Sequence, residues 1–416
     1  MAAALLLAGC THAAAPPPVL SEWRQAALPA SAEIDDLAVC GGHWYAVGAL
    51  ATGGSAETGP DAARRPAAWS SYDGRRWSAL PTVARSVYGR VSRLYAVACR
   101  PQTSASAPTS AGAPTSTGAP TSGAQPELAA LGAAIGGVHG NPRTAAWTLT
   151  GGTLRELPAA FELFGGPSAL SVGRLAGGEA GWLITGGWVT AGRGGAAAWQ
   201  ATSTNFAQVT TPGSLASAPG EQTVATDATP LAGGWLVGGS TTVLSGDRAG
   251  QRQPLAWRST PAGWVRERLP IGSDAAVDAG LDQIVTSSAG LVYAAGSVLS
   301  GRSPTGHFAL WRRLNGRWTS PVTIGPVHPT GSVVPAIRGL AVSGRTVVVA
   351  AGDGARLRLW LSIDAGRGWR ELTLPPGVAA RDDGAARLTV AVSDRDLVVS
   401  LGSDRRSGLW SASLLD

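Results

Sequence analysis

Apolar and polar positions along this chain alternate in short runs, and Gly, Pro, Asp and Ser cluster between them. This is the period of β-strands joined by tight turns, and no stretch carries the longer period of an amphipathic helix. One segment shows the unit most clearly. The apolar run 337–342 turns at Ser343-Gly344-Arg345, and the run 347–352 ends on a glycine. The run 357–361 alternates around Trp360, and 369–374 follows until Pro375-Pro376 stops it. Four such runs predict one four-stranded antiparallel sheet, with its inner strands buried on both faces.

The unit then repeats. An apolar-x-Trp signature in the third strand recurs at Trp69, Trp147, Trp199, Trp257, Trp311, Trp360 and Trp410. Its spacing of about 50 residues is that of a propeller blade. The one long interval, between Trp69 and Trp147, holds an Ala/Pro/Thr/Ser/Gly stretch at 101–126. Second strands reach a glycine at Gly48, Gly186, Gly238, Gly296, Gly352 and Gly402. After Trp410 the chain is too short for a further strand, whereas Trp23 to Pro29 copies the fourth-strand signature of Trp369 to Pro375. The expected fold is all-β. Residues 21–416 form a seven-bladed β-propeller of four-stranded antiparallel blades, and the N-terminal strand closes the last blade. The tryptophans are read as packing between blades.

Composition agrees and narrows the partners. Charged residues make up only 14% of the chain and glycine accounts for 57 of 416 residues, which suits hairpins and penalises helix interiors. The net charge of +6 comes from arginines scattered along the chain, without the basic stripe and interleaved aromatics of a nucleic-acid binder. No nucleic acid is therefore expected. Histidines and cysteines show no ligand spacing and no cofactor motif appears, so neither metal nor cofactor is expected.

The first residues are apolar, and Leu7-Ala8-Gly9-Cys10 resembles the lipobox of bacterial lipoprotein signal peptides. The resemblance implies a signal segment over 1–10 and lipidation of Cys10, with palmitate-type acyl chains holding the protein on the membrane. Residues 11–20, with Pro16-Pro17-Pro18, read as a flexible tether. The stretch 101–126 within the second blade cannot pack and is expected to be disordered. Cys40 and Cys99 end equivalent apolar runs in consecutive repeats, and outside the cytoplasm such a pair tends to form a disulfide.

Two segments bring the repeat to a family. Ser362, Asp364, Gly366 and Trp369 fit the Asp-box pattern Ser-x-Asp-x-Gly-x-x-Trp, and Ser71, Asp73, Gly74 and Trp77 form a version shorter by one residue. In these features the chain resembles sialidase-like propellers with Asp-box (BNR) repeats. There the box is a turn device between third and fourth strands, not a catalytic one. A sialidase resemblance would further imply an arginine triad, a tyrosine nucleophile with an acidic partner and an aspartate acid/base. The Phe/Tyr-Arg-Ile-Pro motif of that family is missing, and Tyr45, Tyr88 and Tyr95 show no evident partner.

In a propeller the first strands line the central channel. Their starts carry Asp35, Asp36, Arg93, Arg174, Asp227, Asp282, Arg338 and Arg387, which are expected to form the binding mouth. With no nucleophile–base signature in view, the expected function is non-catalytic. The chain reads as a monomeric lipoprotein on the extracytoplasmic face of the membrane, binding or scaffolding a protein or envelope glycan. The alternatives are a sialidase-like glycoside hydrolase and a structural envelope component. What separates them is the arrangement at the axis. A carboxylate pair with a nearby tyrosine and three convergent arginines marks an enzyme, while a self-neutralised ring of charge marks a binder.

Overall fold

The computed structural model describes residues 20–52, 64–100, 127–134, 142–203, 205–210, 215–272, 277–300, 305–327, 333–376, 381–383, 386–403 and 406–415. The lipidation residue Cys10, the segments 1–10 and 11–19, and the insertion 101–126 lie outside them. The described residues form seven sheets, and in each the four blade strands are antiparallel and run outward from the axis in chain order, except that the seventh takes its outer strand from the N-terminal segment. Blade one consists of Ala32–Cys40, His43–Ala51, Arg64–Ser71 and Ser78–Leu80. First strands of neighbouring blades touch one another all the way round, which makes the propeller a closed ring. Among the described residues the only helices are the four-residue turns Val87–Arg90 and Phe161–Phe164.

Closure takes the expected form. Arg24 pairs with Ser411 and Gln25 with Trp410, so the strand Arg24–Gln25 becomes the outer strand of the seventh sheet. Leu20 bridges to Leu414, and the Trp23 indole donates to the Thr373 carbonyl of blade six at 3.0 Å. Two sheets exceed four strands. In blade two the linker strand Thr82–Val83 pairs in parallel with Thr153–Glu156 and covers that edge. In blade five both Arg317–Trp318 and Val322–Val327 pair with the third strand Gly306–Leu314.

The core is not one mass but seven apolar clusters, each shared by two adjacent blades. One joins Trp199 of blade three to Ala129, Leu131 and Ala146 of blade two; another joins Trp410 of blade seven to Leu359 and Leu361 of blade six. All seven third-strand tryptophans are buried, with Trp147, Trp199, Trp257 and Trp311 wholly so. Each blade therefore stays folded by packing on its neighbours, which is how a repeat too small for its own core becomes stable. Cys40 and Cys99 form a disulfide between blades one and two, with Cα atoms 5.8 Å apart.

The glycine of the second strand has a specific job. A Cβ built on Gly48 would collide with the Glu33 carbonyl oxygen; on Gly239 it would meet that of Val224, and on Gly296 that of Gly280. In each case the first strand immediately afterwards slips register in a β-bulge, between Ile34 and Asp36, Ala225 and Asp227, and Leu281 and Gln283. The missing side chain lets the first strand kink inward. Gly296→Ala should therefore destabilise the protein by about 1–3 kcal/mol, since the clash is with backbone that cannot rotate away. Chemical denaturation of the variant would measure this, and an unchanged midpoint would show that the strands do not approach so closely.

Candidate functional site at the propeller axis

The bulges decide which side chains meet at the axis. A bulge leaves one residue unpaired and turns the strand, and it is a recurrent way to re-aim a side chain. The residues left out of the ladder are Asp35 in blade one, Tyr95 in blade two, Gly173 and Arg174 in blade three, Thr226 in blade four, Asp282 in blade five and Arg338 in blade six. Blade seven has no register shift in its first pair and contributes Arg387 from the strand start.

Asp35 and Asp36 form the centre. Arg93 Nε contacts Asp35 Oδ2, and Arg387 Nε approaches Asp35 Oδ1 at 3.1 Å from the opposite neighbour. Asp36 lies where four blades meet. Its Oδ1 faces Arg174 Nη1 of blade three at 3.3 Å and Thr389 Oγ1 of blade seven at 3.4 Å, while its Oδ2 accepts the Val97 N–H of blade two at 3.0 Å. Glu33 extends the network outward, with Arg93 Nη1 at 2.8 Å and Arg64 Nε at 3.1 Å. Tyr95 donates its hydroxyl to the Val172 carbonyl at 3.1 Å and lies in the field of Arg174. Three arginines thus converge on two adjacent aspartates beside a tyrosine.

The remaining predicted residues divide. Asp227 reaches the same centre through Arg174 and Asp36, whose charges both act on it. Asp282 and Arg338 lie round the ring in blades five and six, where Arg338 Nη2 meets Asp382 Oδ1 at 3.2 Å. Asp227 Oδ2 accepts the Ile284 N–H at 3.0 Å, and Asp282 Oδ2 accepts that of Ile337 at 2.7 Å. With Asp36 and Val97 these make three equivalent staples from one first strand to the next. Sequence reasoning missed Glu33, Thr389 and Asp382, and it left Tyr95 without a partner. The alternation of Glu33 and Asp35 on one side of a strand was the available signal for the first; nothing local marks the others.

The charge state follows from burial. Desolvation raises Asp227 to about 6 against the pull of Arg174, and the neighbouring Asp36 adds to the rise. Desolvation likewise brings Asp282 to about 6, opposed by the Ile337 N–H, Arg252 and Arg338. Asp35 and Asp36 are also raised by burial, against Arg93 and Arg174 respectively. Burial opposes the charge on Arg174, but Asp36 and Asp227 outweigh it and its pKa rises. The Arg174 side chain keeps a third of its surface accessible (33%), against 10% for Asp36. Both Asp boxes are turns at the blade periphery. Asp364 Oδ1 accepts from the Arg367 and Gly368 N–H groups, both at 2.9 Å, with Gly366 left-handed. Asp73 Oδ1 accepts from Arg75 and Arg76 at 2.9 and 2.8 Å around the left-handed Gly74.

No protein-family model matches the chain, and no curated protein is similar to it. Solved structures do resemble it. An α-L-arabinanase from Penicillium chrysogenum aligns over 68% of this chain and 89% of its own at 13% identity, with a TM-score of 0.42. The Trypanosoma rangeli sialidase aligns over 96% of this chain at 9% identity and a TM-score of 0.45, the alignment spanning 60% of the sialidase. A β-fructofuranosidase from Bombyx mori aligns over 95% of this chain and 90% of its own at 13% identity, with a TM-score of 0.37. The expectation of a non-catalytic binding or scaffolding module, and of no enzyme, is corrected here. The axis carries the carboxylate pair, nearby tyrosine and three convergent arginines expected of the hydrolase alternative.

The raised carboxyls make a pH prediction. Asp227 binds its proton more tightly folded than unfolded, where a carboxyl titrates near about 4. Its contribution to stability is complete below about pH 4 and is lost as pH rises through about 6. Asp227→Asn cannot ionise and still accepts the Ile284 N–H. Its denaturation midpoint should therefore gain on wild type as pH is raised from 4 to 7. A difference between the two proteins that stays constant over that range would contradict the raised pKa.

Proposed function

We propose that the protein is a glycan-active hydrolase whose reaction centre is the axial cluster. The observation that carries the reading is the convergence of Asp36, Asp227, Arg174 and Tyr95 from four different blades in a channel-facing position. Two carboxyl groups flanking the scissile bond, one of them able to donate a proton, are the working parts of glycosidic bond cleavage. Asp227, titrating at about 6, carries the proton that a departing glycosidic oxygen requires near neutral pH. Asp36, held by Arg174 Nη1 at 3.3 Å and by the Val97 N–H at 3.0 Å, is the carboxyl group placed to offset the positive charge developing on the sugar ring. The bond from the sugar carbon to the glycosidic oxygen breaks as that oxygen takes the Asp227 proton; water then bonds to the same carbon and gives its proton to the Asp227 carboxylate, which restores the acid. Arg93 and Arg387 hold Asp35 in place beside them.

The substrates of the arabinanase, the sialidase and the fructofuranosidase define the assay panel: arabino-, sialo- and fructo-oligosaccharides, together with aryl glycosides. The protein should release product from at least one class, and Asp227→Asn should lower kcat by about 100-fold or more. Absence of turnover across the panel, or full activity in the variant, would sink the assignment.

We further propose that the enzyme works on the extracytoplasmic face of the membrane, anchored through Cys10. The support is the resemblance of Leu7-Ala8-Gly9-Cys10 to a lipobox, together with the disulfide between Cys40 and Cys99, which suits an oxidising compartment. Expression of a Cys10→Ser variant in the native host should move the protein from the membrane to the soluble fraction. If it stays on the membrane, the anchor is elsewhere.

A further inference from the structure

A trough runs from the axis outward between blades two and three. Its inner part, of about 410 Å³, begins at Tyr95 and passes Thr144, Phe164 and Leu170. Its outer part, of about 390 Å³, shares Pro142, Thr144 and Phe164 with the inner one and ends between Tyr88 and Phe161. Together they make one cleft of the size that takes a short oligosaccharide. The Arg143 guanidinium lies in its outer part. It stacks 3.7 Å from the centre of the Phe161 ring and lies 5.0 Å from that of Tyr88.

Arg143 has no acid of its own. Its Nε is buried without a hydrogen-bond partner, and no carboxylate pairs with it among the described residues. The one acid lining this part of the trough, Glu156, is fully engaged elsewhere. Glu156 Oε2 accepts the N–H groups of Arg85 and Ser86 at 2.6 and 2.8 Å, and Oε1 accepts the Ser86 hydroxyl. That engagement builds the rim. Ser86 caps the turn Val87–Arg90 by accepting the Gly89 N–H at 2.8 Å, which holds Tyr88 in place. On the other side the Gly165 N–H closes the turn on the Phe161 carbonyl at 3.0 Å, and the Trp199 indole donates to the Leu163 carbonyl at 2.7 Å. The aromatic rim and the cation are therefore prearranged, while Phe161 is 44% exposed and Tyr88 43%.

We propose that this trough binds an acidic glycan, Arg143 taking the carboxylate of a uronic acid unit while the exposed faces of Phe161 and Tyr88 take the apolar face of the sugar. A guanidinium stacked on a ring is fixed in plane and keeps paired N–H donors for a carboxylate. A sugar ring supplies a C–H face for the aromatics, which an acidic side chain of a peptide lacks. The inference deepens the hydrolase reading and rests on it only in that the trough ends at Tyr95, beside Arg174.

Binding, measured without turnover, tests it. Calorimetric titration of the full chain with tri-galacturonate should show affinity at least 10-fold above that for the neutral galactose trisaccharide and for tri-glutamate. Arg143→Ala should abolish the preference and Arg143→Lys should retain part of it, because a point charge replaces the stacked fork; Asp227→Asn should bind as wild type does. Thermal midpoints confirm that the variants fold. Equal binding of acidic and neutral sugars, equal binding of tri-glutamate, or undiminished binding by Arg143→Ala would each overturn the proposal. Should Arg143-dependent binding hold while no glycan is cleaved, the trough stands and the hydrolase reading falls. Should Asp227-dependent cleavage occur without that binding, the reverse follows.

Discussion

Much of this structure depends on one close approach: a first-strand carbonyl oxygen packed over a second-strand glycine. At Gly48, Gly239 and Gly296 the space a methyl group would fill is occupied by the neighbouring backbone. Strands cannot come that close and also keep an even ladder, so the first strand bulges at the next residue. The bulge turns the side chain that follows it away from the sheet faces and toward the axis. Without it, Asp35 and Asp282 would alternate into the packing between blades, where a charged group has no place. In blades one, four and five the glycine is the reason that the first strand turns toward the channel.

This explains what the chain showed beforehand and what it did not. Blade number, ring closure and the buried tryptophans were legible because each is a periodic or copied local pattern. Trp23 to Pro29 resembles Trp369 to Pro375 whether or not anyone knows that they end in neighbouring blades. The eight residues expected at first-strand starts do lie on first strands, but only Arg93 and Arg387 begin one, while Asp35, Asp36, Arg174, Asp227 and Asp282 lie mid-strand. Their partnerships were not legible. Arg174 meets Asp36 across the axis from a blade that does not adjoin blade one, and Thr389 meets the same carboxylate from the far end of the chain. Tyr95 looked solitary for the same reason, its partner Val172 belonging to the next blade. The clustering at the axis is what reversed the non-catalytic expectation, and a strand-by-strand reading has no access to it. The trough was hidden differently: Tyr88 and Phe161 lie on four-residue turns that carry no periodic signal.

The axial aspartates serve two masters. Asp36, Asp227 and Asp282 each accept a backbone N–H from the following first strand, on Val97, Ile284 and Ile337. Such a bond favours the charged carboxylate, as do Arg174 and Arg338, yet burial overrides both and the pKa values still rise. Asp227 and Asp282, each stapled by a backbone donor, are fixed in position while titrating at about 6. That combination, rigid placement with a shifted proton affinity, is what acid catalysis requires of a carboxylic acid. On the hydrolase reading, stability and chemistry are therefore not separable at these positions, and substitutions there are informative only when folding is measured alongside activity.

Blade one, which carries Asp35 and Asp36, is tied to both of its neighbours. On one side the disulfide from Cys40 to Cys99 ties it to blade two, closing a loop of 59 residues, a constraint worth up to about 4 kcal/mol in the chain-entropy account. On the other side Arg75, in its Asp box, reaches Asp396 at 3.4 Å and the Ser413 hydroxyl at 2.7 Å on blade seven. Blade seven in turn is completed by the strand that leads directly into blade one. The exchanged strand and the Arg75 contacts thus reinforce the ring closure on one side of the aspartate pair, and the disulfide reinforces the junction with blade two on the other. An aspartate pair contacted from blades two, three and seven keeps its geometry only if those blades cannot drift apart. The reinforcement of these junctions and the location of the site are two consequences of the same requirement.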